Sequence, residues 1–132
     1  MVDIDAASYI FRLQKDDIEV QLYVQRILYV SIKRDWLPNT KLLFVKRVAF
    51  IGSGIIDRFV SLDELGEEEK KICFQNKCYG KIEFARLVRF YPAIAVADTP
   101  IAGQNILGLH GSSIPRSVAL EVEQLARARL IT

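Results

Sequence analysis

Residues 41–60 read KLLFVKRVAFIGSGIIDRFV, and this stretch carries the clearest structural signal of the sequence. Apolar and β-branched residues fill segments 41–45, 48–51 and 55–60, as is typical of β-strands. Gly52 follows the second segment, where a glycine supplies positive φ angles or a bulge. The stretch therefore predicts a meander of short strands at the centre of the domain.

The residues before this stretch predict a strand, a helix and a second strand. Residues 8–13 are aromatic and β-branched, which indicates the first strand. Asp16 or Asp17 suits the start of a helix, and apolar residues follow at spacings of three and four. Residues 28–32 alternate as a strand does, and Pro38 then provides turn chemistry.

The residues after the stretch predict a middle helix and further strands. Ser61 and Glu64 have the spacing of a capping box, in which the two side chains satisfy free backbone amides, so a short helix should begin there and run towards Lys71. Segments 81–90 and 93–96 predict two strands, separated by a proline.

A glycine-containing loop then leads to a C-terminal helix. Ser112 or Ser113 suits the cap of this helix, and Pro115 is tolerated in its first turn. The apolar residues at helical spacing form one stripe; they are Val118, Val122, Leu125 and Ala126.

These elements predict one α+β domain over residues 1–132. The expected architecture is a curled sheet or partly closed β-barrel with an early inserted helix, a short middle helix and a C-terminal helix. A chain of 132 residues with 51% hydrophobic and 26% charged residues buries one core, which excludes a disordered protein.

The sequence also indicates the compartment and the absence of metal chemistry. No apolar run approaches the roughly 18 residues that cross a bilayer, and Asp3 and Asp5 are unlike the basic start of a secretory signal. We therefore expect a cytoplasmic protein with no membrane partner. Four residues separate Cys73 from Cys78, which is neither a redox pair spacing nor half of a zinc site, so we expect two free or buried thiols, no metal and no cofactor.

Charge is unevenly distributed along the chain although its net value is only +2. Residues 33–58 carry six bases against two acids, and residues 70–91 carry six bases against one acid. Acids collect in residues 63–69 instead. A polarised surface results if the two basic segments meet in space, and ordinary solvated faces are the alternative.

Several stretches resemble the PUA-like superfamily, which includes the ASCH and EVE groups, and within it small archaeal members. They are TKLLFV at 40–45, IGSGII at 51–56, the strand that ends at Tyr91-Pro92, and IPRS at 114–117. The likeness extends over roughly the whole chain, including the order of elements. It implies a pseudobarrel that binds RNA or a modified base, although fold alone does not establish function.

The leading functional prediction is non-catalytic RNA binding by a basic barrel face. Basic side chains would neutralise phosphates while an aromatic side chain stacks on a base. Trp36 is either that stacking platform or a core plug beside Pro38. The predicted binding residues are Lys33, Arg34, Trp36, Lys41, Lys46, Arg47, Lys81, Arg86, Arg89 and Tyr91.

Strand alternation makes this prediction more specific. It sends five residues inward, namely Leu43, Val45, Ile82, Phe84 and Val88, and leaves Lys46, Lys81 and Arg89 available to solvent. Replacing Lys46 and Arg47 with alanine should then weaken RNA binding uniformly across sequences.

Two alternatives remain open at this stage. One is a nucleotide or modified-base binding or processing protein that uses a cleft at the loop before the last helix, where free amides favour an anion; the loop residues are Gly103, Gln104, Asn105, His110, Ser112 and Ser113. His110 near two serines does not by itself supply the orienting carboxylate and oxyanion site of a hydrolase, so catalysis is not expected. The other alternative is a homodimer that packs its apolar C-terminal helices together.

Overall fold

A computed structural model of the protein describes residues 7–102 and 110–131. These residues contain six strands and three α-helices. The strands are β1 (Ala7–Arg12), β2 (Ile27–Val30), β3 (Lys41–Lys46), β4 (Ala49–Ser61), β5 (Gly80–Ala95) and β6 (Ser113–Pro115), and the helices are α1 (Asp16–Gln25), α2 (Glu67–Asn76) and α3 (Arg116–Ile131).

The strands form one mixed sheet that remains open. Its order is β2-β5-β4-β3-β1-β6, with β1 and β3 parallel and the other neighbours antiparallel. The two edges, β2 and β6, have only four and three residues and do not pair with each other, whereas a barrel requires a continuous ladder between them. The predicted α+β class with its early, middle and C-terminal helices is confirmed, but the sheet is not closed.

β4 is a single strand where the sequence predicts two. The glycine-containing stretch 52–54 lies inside it, and its pairing with β5 shifts register between Phe50 and Gly52, as the predicted bulge requires. A Cβ at Gly52 would overlap both the Tyr23 hydroxyl of α1 and the Val88 carbonyl of β5. The glycine therefore lets α1 and β5 approach the β4 backbone closely.

β5 likewise joins the two strands predicted at 81–90 and 93–96. It continues through the Tyr91–Pro92 peptide, which is cis. β2 pairs with β5 only as far as Glu83, so the outer edge beyond that point has no neighbouring strand within the described residues. A proline on such an edge removes no ladder hydrogen bond.

Two helix starts differ from the prediction. The capping box of Ser61 and Glu64 forms, but it caps a 3₁₀ turn, and α2 begins only after Gly66. Pro115 lies in β6 and not in the first turn of α3, and Ser113 pairs with Tyr9 of β1 instead of capping the helix. The edge of β1 offers unpaired backbone groups, and residues 113–115 satisfy them.

Hydrophobic clusters cover both faces of the sheet. On one face, Val122 of α3 packs in a cluster with Ile10 and Phe50; on the other, Leu22 of α1 packs in a cluster with Trp36 and Phe44. The five residues predicted to point inward all belong to these clusters or pack against them, namely Leu43, Val45, Ile82, Phe84 and Val88. The packing of these five residues is confirmed, but they divide between the two faces, because register shifts interrupt the alternation, and in β3 both faces are buried.

Cys73 and Cys78 are paired as a disulfide, which corrects the expectation of free thiols. Lys77 ends α2 in the left-handed conformation and turns the chain back, so that the Cys78 amide donates to the Cys73 carbonyl. Both cysteines are buried in a small third cluster with Val60 and Leu65. The pair therefore ties the end of α2 to the start of β5.

Candidate anion-binding site

A cavity of about 300 Å³ lies between α3 and the middle of the sheet. Strands β3, β4 and β5 supply one wall and α3 supplies the other. The lining residues are Lys41, Ser53, Gly54, Ile55, Arg86, Val88, Arg116, Glu123 and Arg127. Five of the nine carry a charge, which distinguishes this cavity from the apolar core beside it.

Strand register and helix spacing bring these side chains together. Lys41 pairs with Ile55, and Ile55 pairs with Arg86, so the three form one row across the sheet. In α3 the polar residues follow each other at intervals of seven and four, from Arg116 to Glu123 to Arg127, which keeps them on one side of the helix.

Three buried polar side chains form the floor of the cavity. Glu123 Oε1 lies 2.5 Å from Lys41 Nζ, and the Ser53 hydroxyl donates to Glu123 Oε2 at 2.6 Å. Each of the three residues is at most 9% exposed. A buried charge is tolerated only when it is paired and hydrogen-bonded, and here both carboxylate oxygens are engaged.

Three arginines surround this floor. The Arg116 guanidinium donates to the Asn39 carbonyl at 3.0 Å, which fixes its position. Arg86 and Arg127 are exposed, and neither has a hydrogen bond or ion pair to any residue that the structure describes. With Lys41 they make four cations against the single carboxylate of Glu123, a formal charge of +3 around one cavity. Such an arrangement attracts an anion.

The ten predicted binding residues do not form one face. Only Lys41 and Arg86 meet in this cavity. Lys33, Arg34 and Trp36 line a second cleft of about 520 Å³ together with other residues, and Lys46 and Arg47 line a third of about 410 Å³. The basic segments are therefore spread over separate clefts.

Trp36 is a core plug and not an exposed stacking platform. It is 4% exposed, its indole Nε1 donates to the Ile32 carbonyl at 3.2 Å, and its ring contacts those of Tyr9 and Phe11. The neighbouring Arg34 is also engaged, since it donates to the Gly111 carbonyl at 2.9 Å and lies over the Tyr9 ring. Lys33 and Arg34 are both exposed.

Lys46 and Lys81 are half-buried in ion pairs, which corrects the expectation that both are available to solvent. Lys46 Nζ lies 2.5 Å from Asp16 and 2.6 Å from Glu19, and these hydrogen bonds raise the pKa of Lys46. Lys81 Nζ lies 2.7 Å from Glu69, and this bond lowers the pKa of Glu69.

The other predicted residues are exposed. Arg89 lies over the Tyr23 ring at 4.3 Å from its centroid, and burial raises the pKa of Tyr23 to about 12. Arg47 occupies the turn between β3 and β4 in the left-handed conformation. Tyr91 is 79% exposed on the outer edge of β5, so it offers an open aromatic face that Trp36 does not.

The predicted loop site is only partly within the described residues. Gly103, Gln104 and Asn105 lie outside them. His110 Nδ1 accepts a hydrogen bond from the Arg12 amide at 2.9 Å, its ring meets that of Phe11 edge to face, and burial lowers the pKa of His110. This histidine thus fastens the loop to β1.

The serines of the same loop also connect to β1. The Ser112 carbonyl accepts from the Ile10 amide, and Ser113 is exposed in β6. The described contacts of His110, Ser112 and Ser113 therefore attach this segment to strand β1.

Four polar residues of the cavity were missed at the sequence level: Ser53, Arg116, Glu123 and Arg127. The three residues of α3 had one available signal, their seven-and-four spacing, which reads equally well as a solvated helix face. No group of three or more His, Cys, Asp or Glu side chains that suits a metal occurs among residues 7–102 and 110–131. Nor does any helix in this part of the chain have the length and apolarity to cross a membrane.

The chain matches no protein-family model, no curated protein and no solved structure.

Proposed function

We propose that the protein is a non-catalytic RNA-binding module whose principal phosphate contact is the cavity lined by Arg86, Arg116 and Arg127. The observation that carries this proposal is the pair of exposed arginines, Arg86 and Arg127, beside a buried floor whose charges already satisfy each other. Arginine is suited to phosphate because its planar donors match the phosphate oxygens.

Features outside the cavity support an extended ligand. Arg86, Arg89 and Tyr91 are all exposed on the outer part of β5, but Arg86 lines the cavity on the α3 side of the sheet, whereas Arg89 lies over Tyr23 of α1 on the other side. An RNA strand that leaves the cavity and crosses the free outer edge of β5 would reach Tyr91 and Arg89, where a base stacks on the aromatic ring and a phosphate meets the arginine, as single-stranded RNA is commonly held. Tyr91 takes the stacking role in this proposal because Trp36 is buried. We include in the same proposal that the chain is related to the PUA-like superfamily, for which the resemblance implies RNA binding.

A homodimer through α3 has less support. The apolar stripe that suggested it, including Val122 and Ala126, packs against the protein's own sheet, and only Leu120 is a large exposed hydrophobic residue on the described part of that helix. The stripe is thus accounted for within one chain.

Fluorescence anisotropy with a labelled single-stranded RNA of mixed sequence tests the proposal. We expect micromolar or tighter binding at low salt that weakens as salt rises. The variant Arg86→Ala/Arg127→Ala should lower the slope of log K against log salt by about 0.7 units, the contribution of the one phosphate that the two arginines contact in the cavity.

Lys70→Ala/Lys71→Ala is the matched control, because it removes the same charge from α2, away from the cavity. Its salt slope should stay close to that of the unmodified protein. Absence of RNA binding at low salt, or an equal loss of slope in both double variants, would contradict the proposal.

A further inference from the structure

The cations of the cavity converge from opposite walls. Arg86 comes from the sheet, Arg116 and Arg127 come from α3, and Lys41 lies on the floor with its side chain 11% exposed. A phosphate at the centre therefore meets donors on several sides. This geometry suits a phosphate group with three unesterified oxygens. An internal phosphodiester has only two such oxygens, and its RNA strand would have to leave the cavity in both directions.

The charge balance favours the same kind of group. A phosphate monoester carries about −1.5 to −2 at pH 7, whereas a diester linkage carries about −1. The surrounding formal charge is +3. The Glu123 carboxylate does not disturb this balance, since its two oxygens already accept from Lys41 and Ser53.

We infer that the cavity binds a phosphate monoester, and that in the RNA ligand this is the terminal phosphate of the strand. That the phosphate belongs to RNA rests on the proposed function. That it is a phosphate monoester rests on the cavity alone. The bound end anchors the strand in the cavity, and the following nucleotides leave it across the free outer edge of β5, where Tyr91 is exposed.

The experiment compares one RNA of about ten nucleotides in three forms. These carry a 5′-phosphate, a 3′-phosphate or hydroxyl groups at both ends, and adenosine 5′-monophosphate is a fourth ligand. A terminal phosphate should tighten Kd about tenfold or more, because it adds charge-assisted hydrogen bonds. If the 5′-phosphate tightens Kd, the 5′ end lies in the cavity, and if the 3′-phosphate does so, the 3′ end lies there. The comparison therefore identifies the direction of the bound strand.

The gain should depend on the arginines and on pH. It should vanish in Arg86→Ala/Arg127→Ala, persist in Lys70→Ala/Lys71→Ala, and be partly kept in Arg86→Lys/Arg127→Lys. The dianion of a terminal phosphate takes up one proton near pH 6 and becomes a monoanion. The gain should therefore shrink between pH 7.5 and pH 5.5, while the hydroxyl-ended RNA shows no such loss. Circular dichroism of each variant confirms that it is folded.

The outcomes separate the two proposals. Equal affinity for phosphorylated and hydroxyl-ended RNA would overturn the terminal-phosphate inference and leave RNA binding in place. Arginine-dependent binding of adenosine 5′-monophosphate with no affinity for any RNA would overturn the proposed function and support the monoester site. Binding of none of the four ligands would overturn both.

Discussion

The buried pair of Lys41 and Glu123 predicts a large energetic coupling between β3 and α3. Their side chains are 11% and 9% exposed, so each buried charge is compensated by the other. Removing one partner of a buried pair costs about 3–5 kcal/mol because the remaining charge is uncompensated. We expect Lys41→Met and Glu123→Leu each to lower the free energy of unfolding by about 3 kcal/mol, at the low end of that range because the cavity admits water near the pair. This corresponds to a fall in Tm of roughly 10 °C.

The double variant Lys41→Met/Glu123→Leu should be much less destabilised than the sum of the two. It buries no unpaired charge and loses mainly the bond from Ser53 to Glu123, worth about 1 kcal/mol. Urea unfolding followed by the fluorescence of Trp36, the one tryptophan of the chain, measures all four proteins. Additive losses, or losses below 1 kcal/mol in both single variants, would refute the reasoning.

Two further predictions concern acid stability and the packing at Gly52. Lys81 lowers the pKa of Glu69 in the folded protein, so this carboxylate contributes stability that is present above its unfolded pKa of about 4.5 and is lost as pH falls through the folded value. Urea unfolding between pH 7 and pH 3 should show a drop below about pH 4.5 that is shallower in Lys81→Met, and an unchanged or steeper drop in that variant would count against the pair. Gly52→Ala should cost about 1–3 kcal/mol because its methyl group meets the Tyr23 hydroxyl and the Val88 carbonyl. Gly66→Ala, where the added Cβ meets no atom within 4 Å, should be neutral to about 0.5 kcal/mol, and equal urea midpoints for both variants would contradict the packing argument.

The strands and helices could largely be predicted from the sequence because their signals are local. The apolar and β-branched segments of residues 41–60 identified the strands, although they did not show that residues 41–45 are buried on both faces of the sheet. Where elements join or end depends on what lies beside them in space. Pro92 does not end β5 because the strand edge there has no neighbour in the described structure, and Pro115 belongs to β6 because β1 offers backbone partners.

The candidate site was less accessible to sequence reasoning. Lys41 and Arg86 were predicted from charge alone, but the partner that buries Lys41 lies 82 residues away in α3. Nothing local distinguishes Glu123 from other acids of that helix. Trp36 presented the opposite difficulty, since a tryptophan beside Lys33 and Arg34 suits a binding surface, and only the rings of Tyr9 and Phe11 decide that it is core.

The position of Glu123 in the chain has a consequence during synthesis. β3 leaves the ribosome long before α3, so Lys41 has no counter-charge while residues 41–122 are being made. Until then its ammonium group is better hydrated than buried, which opposes early closure of that part of the sheet. Translation adds about 5–20 residues per second, so several seconds pass between the synthesis of β3 and the synthesis of α3, which covers it. The cavity lined by Arg86 and Arg127, whose second wall is α3, is therefore completed only after this helix has emerged.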